Sequence, residues 1–283
     1  MEQTPITPRS CELGDELRTL RAKFSNGHEF ASLLDWDPSK VSNIERGKVR
    51  PTDLDLAQYL TACGKGRGRV AEFSDFYRTA FDLYFAQAAS NFKTICFAEA
   101  SASTITGFGN ATLPVLLRTT EYTEKLLIQR GATPEQIKDA VRSQQERQRV
   151  LGSAYQPEVL FYVTERSLVA PLDEARGRMD QLELLKRNSR FVRVIPDGER
   201  TPFSTEFTVY EHKKVPATAF VDCEFAKVFV QDATAVAQCR AFLAALDTIS
   251  LSQADSKELL SRLLTEDYVA VIKTATEERP STD

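Results

Sequence analysis

Residues 38–51 read PSKVSNIERGKVRP, and several of these side chains are of the kinds that hydrogen-bond to the edges of DNA bases. An Asn amide pairs bidentately with adenine and an Arg guanidinium with guanine. On a helical wheel Val41 and Ile44 share one face, while Ser39, Ser42, Asn43 and Arg46 lie roughly opposite. The two serines are short enough to let a backbone approach the groove. Lys40, Lys48 and Arg50 stand where flanking phosphates would be met. The segment carries a formal charge of +3, from Lys40, Arg46, Lys48 and Arg50 against Glu45. An acid in a reading helix repels phosphate, so Glu45 is expected to pair with a nearby backbone N–H or Arg. The competing reading is an ordinary surface helix with a polar face.

Such a helix needs partners to hold it. Leu13, Leu17 and Leu20 mark one face of a first helix, after a tail over residues 1–10 that looks frayed. Asn26 is placed to cap a second helix, Gly27–Leu34, with Phe30, Leu33 and Leu34 inward. Asp37 caps the third, Pro38 takes its first position and Gly47 ends it. Thr52 and Asp55 form a weak capping box for a fourth. The run GKGRGR over residues 64–69 reads as a flexible basic connector. A phosphate loop is discounted there, because no strand precedes it.

Residues 70–104 read as helical, with an aromatic core face running from Phe73 to Phe97. Helices are expected over 119–130 and 134–151. The pattern then changes to short β-branched and aromatic runs at Val159–Thr164, Phe191–Ile195, Glu206–Glu211, Thr218–Asp222 and Ala226–Val230. A helical stretch over Asp173–Asn188 makes the first two a parallel βαβ unit. The last three form an antiparallel meander, followed by helices over 232–247 and 252–273. The fold class is therefore α+β: an all-α helix-turn-helix module (1–64), a basic linker and helical connector (65–104), a mixed α/β domain with about five short strands (105–275), and a disordered tail (276–283).

The formal net charge of −4 gives no global attraction to nucleic acid, so any DNA contact must be local. Five scattered cysteines, without a CxxC pair, fit reduced thiols. Only His28 and His212 are available for a zinc site or a His-based triad, and no cofactor or metal is expected. The absence of a signal-peptide core or a long apolar run leads us to expect a cytoplasmic protein without membrane contact.

The N-terminal stretch resembles the XRE (Cro-repressor-like) helix-turn-helix family. The matching features are Ala31, Val41-Ser42, Ile44-Glu45, Gly47 and Pro51. The form W-x-x-S-K-V-S-x-I-E-x-G, Trp36 to Gly47, is similar to actinobacterial WhiJ-like regulators. The resemblance continues through Phe108, Leu113-Pro114, Leu116-Leu117, Thr119, Glu121 and Tyr122, then Arg147-Gln148, Glu165 and Val194-Ile195-Pro196. This chain departs from the pattern at Asp35 in place of the turn Gly, Phe24-Ser25 in place of Gly-Leu, Asn110 in place of Pro, Val115 in place of Gly and Arg118 in place of Gln. The resemblance implies a transcription regulator whose C-terminal domain senses a ligand or binds a small acidic partner protein, in an antitoxin-like arrangement.

In the second domain Arg118, Tyr122, Arg147, Glu165 and Asp222 converge if the 105–122 loop packs over the strand ends, with Phe108 beside them; strand ends of a βαβ unit are a usual ligand crevice. Otherwise Phe108 and Tyr122 are core, and the charged residues are surface pairs. The expectation is a regulator that binds double-stranded DNA as a homodimer, since one reading helix has a small footprint. Two alternatives stand beside it: an enzyme retaining a regulator's shape with a degenerate helix-turn-helix, and a pure protein-binding module.

Overall fold

The computed structural model describes residues 6–24, 26–153, 156–213 and 215–277. Five helices form the N-terminal unit: α1 (Pro8–Leu20), α2 (Gly27–Leu33), α3 (Pro38–Glu45), α4 (Asp53–Ala62) and α5 (Arg67–Thr79). They enclose a core of Leu13, Leu17, Phe30, Ala31, Val41, Ile44, Leu56, Tyr59, Leu60, Phe73 and Tyr77. A buried aliphatic side chain of this kind contributes about 1.5–3 kcal/mol.

Three expectations about this unit need correction. First, the helix begins at Pro8, inside the stretch read as a frayed tail. Thr7 and Ser10 cap each other reciprocally, and proline at the first position loses no needed N–H. Residues 1–5 lie outside the described residues. Second, Leu33 is 60% exposed rather than inward. It lies about 200° around the helix from Ala31, and so turns away from α3. Third, the basic connector is helical from Arg67 onward. Arg69 in it is anchored by Glu16 and Glu72, and α5 buries Phe73 and Tyr77 against α1–α4.

The turn between α2 and α3 holds Asp35 at φ 55°, the one non-glycine with positive φ among the described residues. The Trp36 N–H donates to the Ala31 carbonyl at 2.9 Å and the Asp35 N–H to Ser32 at 3.3 Å. That is the Schellman arrangement, with Asp in the left-handed position that usually takes Gly. The turn therefore keeps its geometry without the glycine.

The remainder is a sheet with helices on both faces. Its strands are β1 (Tyr84–Ala88), β2 (Thr104–Gly109), β3 (Glu158–Thr164), β4 (Val192–Ile195), β5 (Phe207–Glu211), β6 (Thr218–Asp222) and β7 (Ala226–Val230), in the order β1-β7-β6-β5-β2-β3-β4. The helices are α6 (Lys93–Ser101), α7 (Thr120–Gln129), α8 (Pro134–Gln148), α9 (Ala175–Arg187), α10 (Ala233–Ile249) and α11 (Gln253–Glu277). β2, β3 and β4 are parallel, joined by the α7–α8 and α9 crossovers, and β5–β6–β7 is the expected meander. One face packs Ile105, Phe161, Val163, Tyr210 and Phe220 against α6, α7, α9 and α11. The other packs Phe108, Tyr162, Val209 and Ala219 against α10.

Among the described residues seven strands stand where about five were expected. β1 falls within the run read as helical, because Phe81, Tyr84 and Phe85 fit a helical stripe as well as a strand. β2 is the central strand, yet Gly107 and Gly109 interrupt its alternation. Helix α11 (Gln253–Glu277) runs past the expected end at 273 and into the stretch 276–283 expected to be a disordered tail, of which 278–283 lie outside the described residues.

The two units meet at a small polar junction. Arg9 pairs with Glu12 at 2.8 Å, and its guanidinium lies 4.8 Å over Phe76 and 5.8 Å over Phe85 of β1. The Thr94 hydroxyl of α6 donates to the Glu12 carboxylate at 2.5 Å. The first half of α1 thus meets the sheet domain through Arg9 and Glu12 and the end of α3 through Ser10 and Gly14.

Candidate nucleic-acid interface and a cavity in the sheet domain

Helix α3, the candidate reading helix, is set by its two ends. The Asp37 carboxylate caps it through the Ser39 N–H at 2.7 Å. Hydrogen bonds from Ser39 hold the fully exposed Asp37 carboxyl below its ordinary range. At the other end Gly47 takes φ 65°, and a Cβ there would lie 2.5 Å from Cys11 N. A Cβ on Gly14 would lie 2.5 Å from the Glu45 carbonyl oxygen. Backbone against backbone, α1 and the C-terminal end of α3 are in closest approach, and Ser10 Oγ donates to the Gly47 carbonyl across it at 2.9 Å.

Val41 and Ile44 face the core, 1% exposed each. Glu45 turns back into the protein: it accepts from Arg21 Nη2 at 2.9 Å and from the Tyr59 hydroxyl at 2.6 Å. The Glu45 hydrogen bond lifts the Arg21 pKa, and burial followed by the same carboxylate lifts that of Tyr59. The acid in this helix is therefore neutralised and withdrawn from any phosphate.

The remaining candidates divide into two groups. Arg46 and Lys48 are exposed with no side-chain partner among the described residues, and Ser42 and Asn43 are half-buried with free polar tips. Ser39 is exposed, its hydroxyl shared with Asp37. Lys40 and Arg50 are engaged elsewhere. Lys40 Nζ is 2.6 Å from Asp55 and 4.0 Å over the Trp36 ring, and Arg50 donates to the Arg78 carbonyl at 2.6 Å. Beside α3 lies a groove of about 290 Å³ bordered by Arg18, Arg21, His28, Ser42 and Arg46. Arg18 and His28 come from other helices, so no local spacing pointed to them.

In the sheet domain Arg118, Arg147 and Asp222 border one cavity of about 60 Å³, walled by Leu113, Leu116, Phe161 and Phe220. Arg147 is clamped bidentately by Glu99, Nε–Oε2 3.0 Å and Nη2–Oε1 2.8 Å, with both side chains almost fully buried. Burial opposes the Arg147 charge, but the Glu99 carboxylate outweighs it and holds the guanidinium protonated. The Tyr210 hydroxyl is 3.4 Å from the same carboxylate, and burial keeps it neutral well above its ordinary range. Glu99 and Tyr210 escaped sequence reading because their partners lie far along the chain.

Phe108 borders the cavity, yet its ring packs on the opposite face of the sheet, 5.2 Å from Phe203. Tyr122 is core: its hydroxyl donates to the Ser167 carbonyl at 2.9 Å and accepts from the Leu113 N–H at 3.0 Å, which fixes the loop that roofs the cavity. Glu165 stands apart and accepts from the Asp197 N–H at 3.1 Å. Glu165 does not join Arg118, Arg147 and Asp222, and Tyr122 meets only Arg118, whose guanidinium lies 5.7 Å over its ring. Among the described residues no group of three or more His, Cys, Asp or Glu is arranged to hold a metal ion, and no helix is long and apolar enough to cross a membrane.

Comparison with known families agrees with this division. Residues 92–262 match the family described as Domain of unknown function (DUF5753), and residues 12–73 match a Helix-turn-helix domain. The first match covers more than half of the chain. No curated protein and no solved structure matches it.

Proposed function

We propose that this chain, which belongs to the family described as Domain of unknown function (DUF5753), is a sequence-specific transcription regulator that reads DNA with α3. Its helix-turn-helix domain supports DNA binding in general. The specific reading rests on one observation: Glu45 is neutralised by Arg21, while Arg46 stays unengaged beside a groove that also carries Ser42, Arg18 and His28. Ser42, Asn43 and Arg46 face the bases; Ser39 and Lys48 flank them. Lys40 and Arg50 would have to leave Asp55 and the Arg78 carbonyl to reach phosphates, so we give them the smaller part. The protein acts as a homodimer in the cytoplasm, of the WhiJ-like type within the XRE regulators.

The sheet domain serves as the sensor, and the cavity is the place a small effector enters. Helix α6 joins the two units: its Thr94 holds Glu12 of α1, and its Glu99 holds Arg147 at the cavity. A second reading, a small protein partner, is favoured by Phe225, 81% exposed, and Ile128, 60% exposed, beside the Arg130–Glu224 bridge.

Anisotropy titration against duplex from upstream of its own gene tests the first reading. Affinity should fall steeply with salt, and Arg46→Ala should cost about 1–3 kcal/mol on the specific site. Equal affinity of wild type and Arg46→Ala for that site would remove α3 as the reader.

A further inference from the structure

Three carboxylates and two guanidinium groups border the cavity, and all but one of the five are paired or fully hydrogen-bonded. Arg147 has Glu99. Asp222 has Lys227, Nζ–Oδ1 2.8 Å. Glu206 is satisfied by the backbone N–H groups of Asn110, Ala111 and Thr112, at 3.0, 2.6 and 2.8 Å, and by the Thr112 hydroxyl at 2.8 Å. Arg118 alone among the cavity's charged residues has neither a counter-charge within ion-pair distance nor a full set of acceptors. Its Nε is held by the Leu113 carbonyl at 2.5 Å and one terminal nitrogen reaches Thr112 Oγ1 at 3.3 Å, both neutral acceptors. Its guanidinium lies 5.7 Å over the Tyr122 ring. Burial pushes its pKa down from the ordinary value. Arg118 is half-buried and held only by neutral acceptors, so its remaining N–H groups are left to meet an incoming anion.

We propose that the cavity is a binding site for a small monocarboxylate with a short apolar chain, its carboxylate on Arg118 and its chain against Leu113, Leu116, Phe161 and Phe220. The apolar walls and the small volume exclude polyanions and large ring systems. The guanidinium presents its fork in a fixed direction, since Nε is tied to Leu113, so the carboxylate binds Arg118 through its remaining N–H groups. This names the effector class for the sensor reading and rests on that reading only for its regulatory meaning.

The test uses the full chain without DNA, so its outcome is independent of whether α3 reads DNA. Propionate and butyrate are compared with propionamide and butyramide by ligand-observed NMR and by thermal melting. The carboxylates should bind about tenfold or more tighter than their amides, the amount expected of a charge-assisted hydrogen bond in place of a neutral one. In Arg118→Gln that preference should vanish while amide binding stays the same. Amides binding as tightly as acids, neither class binding at millimolar concentration, or an undiminished preference in a folded Arg118→Gln would each overturn the proposal. The wild-type comparison decides the matter even if the variant fails to fold.

Discussion

Arg21 of the segment after α1 and Glu45 at the end of α3 form an ion pair, Nη2–Oε2 2.9 Å, with side chains only 13% and 8% exposed. The pair fastens α3 to the rest of its module and cancels the one acid within that helix. Removing one partner strands the other. Glu45→Gln is therefore expected to destabilise the N-terminal unit by roughly 2–3 kcal/mol, the lower end for a buried pair because Arg21 keeps some solvent. Urea unfolding followed at Trp36 measures it, and a double-mutant cycle with Arg21→Gln should show strong coupling.

Asp35 carries a backbone strain that glycine would not. A left-handed non-glycine costs about 1–2 kcal/mol, partly offset by the larger unfolded-state entropy of Gly. Asp35→Gly should raise the unfolding free energy by about 0.5–1 kcal/mol and leave DNA affinity unchanged. Asp35→Val, β-branched at φ 55°, should lower it by more than Asp35→Gly raises it. Thermal melts of the two variants give the sign directly.

The approach of α1 to α3 leaves no room for a methyl group. In Gly14→Ala the new carbon would meet the Glu45 and Ile44 carbonyl oxygens at 2.5 and 2.7 Å, and both are backbone. Overpacking of this kind costs about 1–3 kcal/mol or more. The expected outcome is a shifted α3, lost DNA binding and retained sheet signals in circular dichroism.

These relationships separate what the sequence makes legible from what it hides. Helix α3 is legible because its punctuation is local: Asp37 and Pro38 start it and Gly47 stops it. The parallel pair around α9 and the meander are legible because their strands alternate cleanly. β1 and β2 are not, since the aromatic run at Phe81–Phe85 has no distinctive period and two glycines thin out the central strand. Side-chain pairing is the least legible level. Nothing local shows that Lys40 is tied to Asp55, that Arg147 meets Glu99, or that Glu165 caps Asp197 instead of facing Arg118. Those contacts join segments far apart in the chain.

His212 provides a pH dependence. Burial holds its imidazole below the ordinary value, against weaker opposing effects of Ser101 and Glu211. A base whose folded pKa is depressed binds fewer protons folded than unfolded. Its contribution is fully present above the unfolded pKa, about 6.5, and is lost as pH falls below that value toward the folded pKa. Melting temperature should therefore drop between neutral pH and mildly acidic pH, and His212→Gln should flatten that part of the profile.

The central claim is that α3 reads DNA through Asn43 and Arg46. A genome-wide map of bound DNA, made in cells with wild type and with folded Asn43→Ala and Arg46→Ala variants, tests it most directly. The account predicts discrete sites sharing one sequence for the wild type and their loss in both variants. No enriched sites for the wild type, or the same sites in the variants, would contradict it.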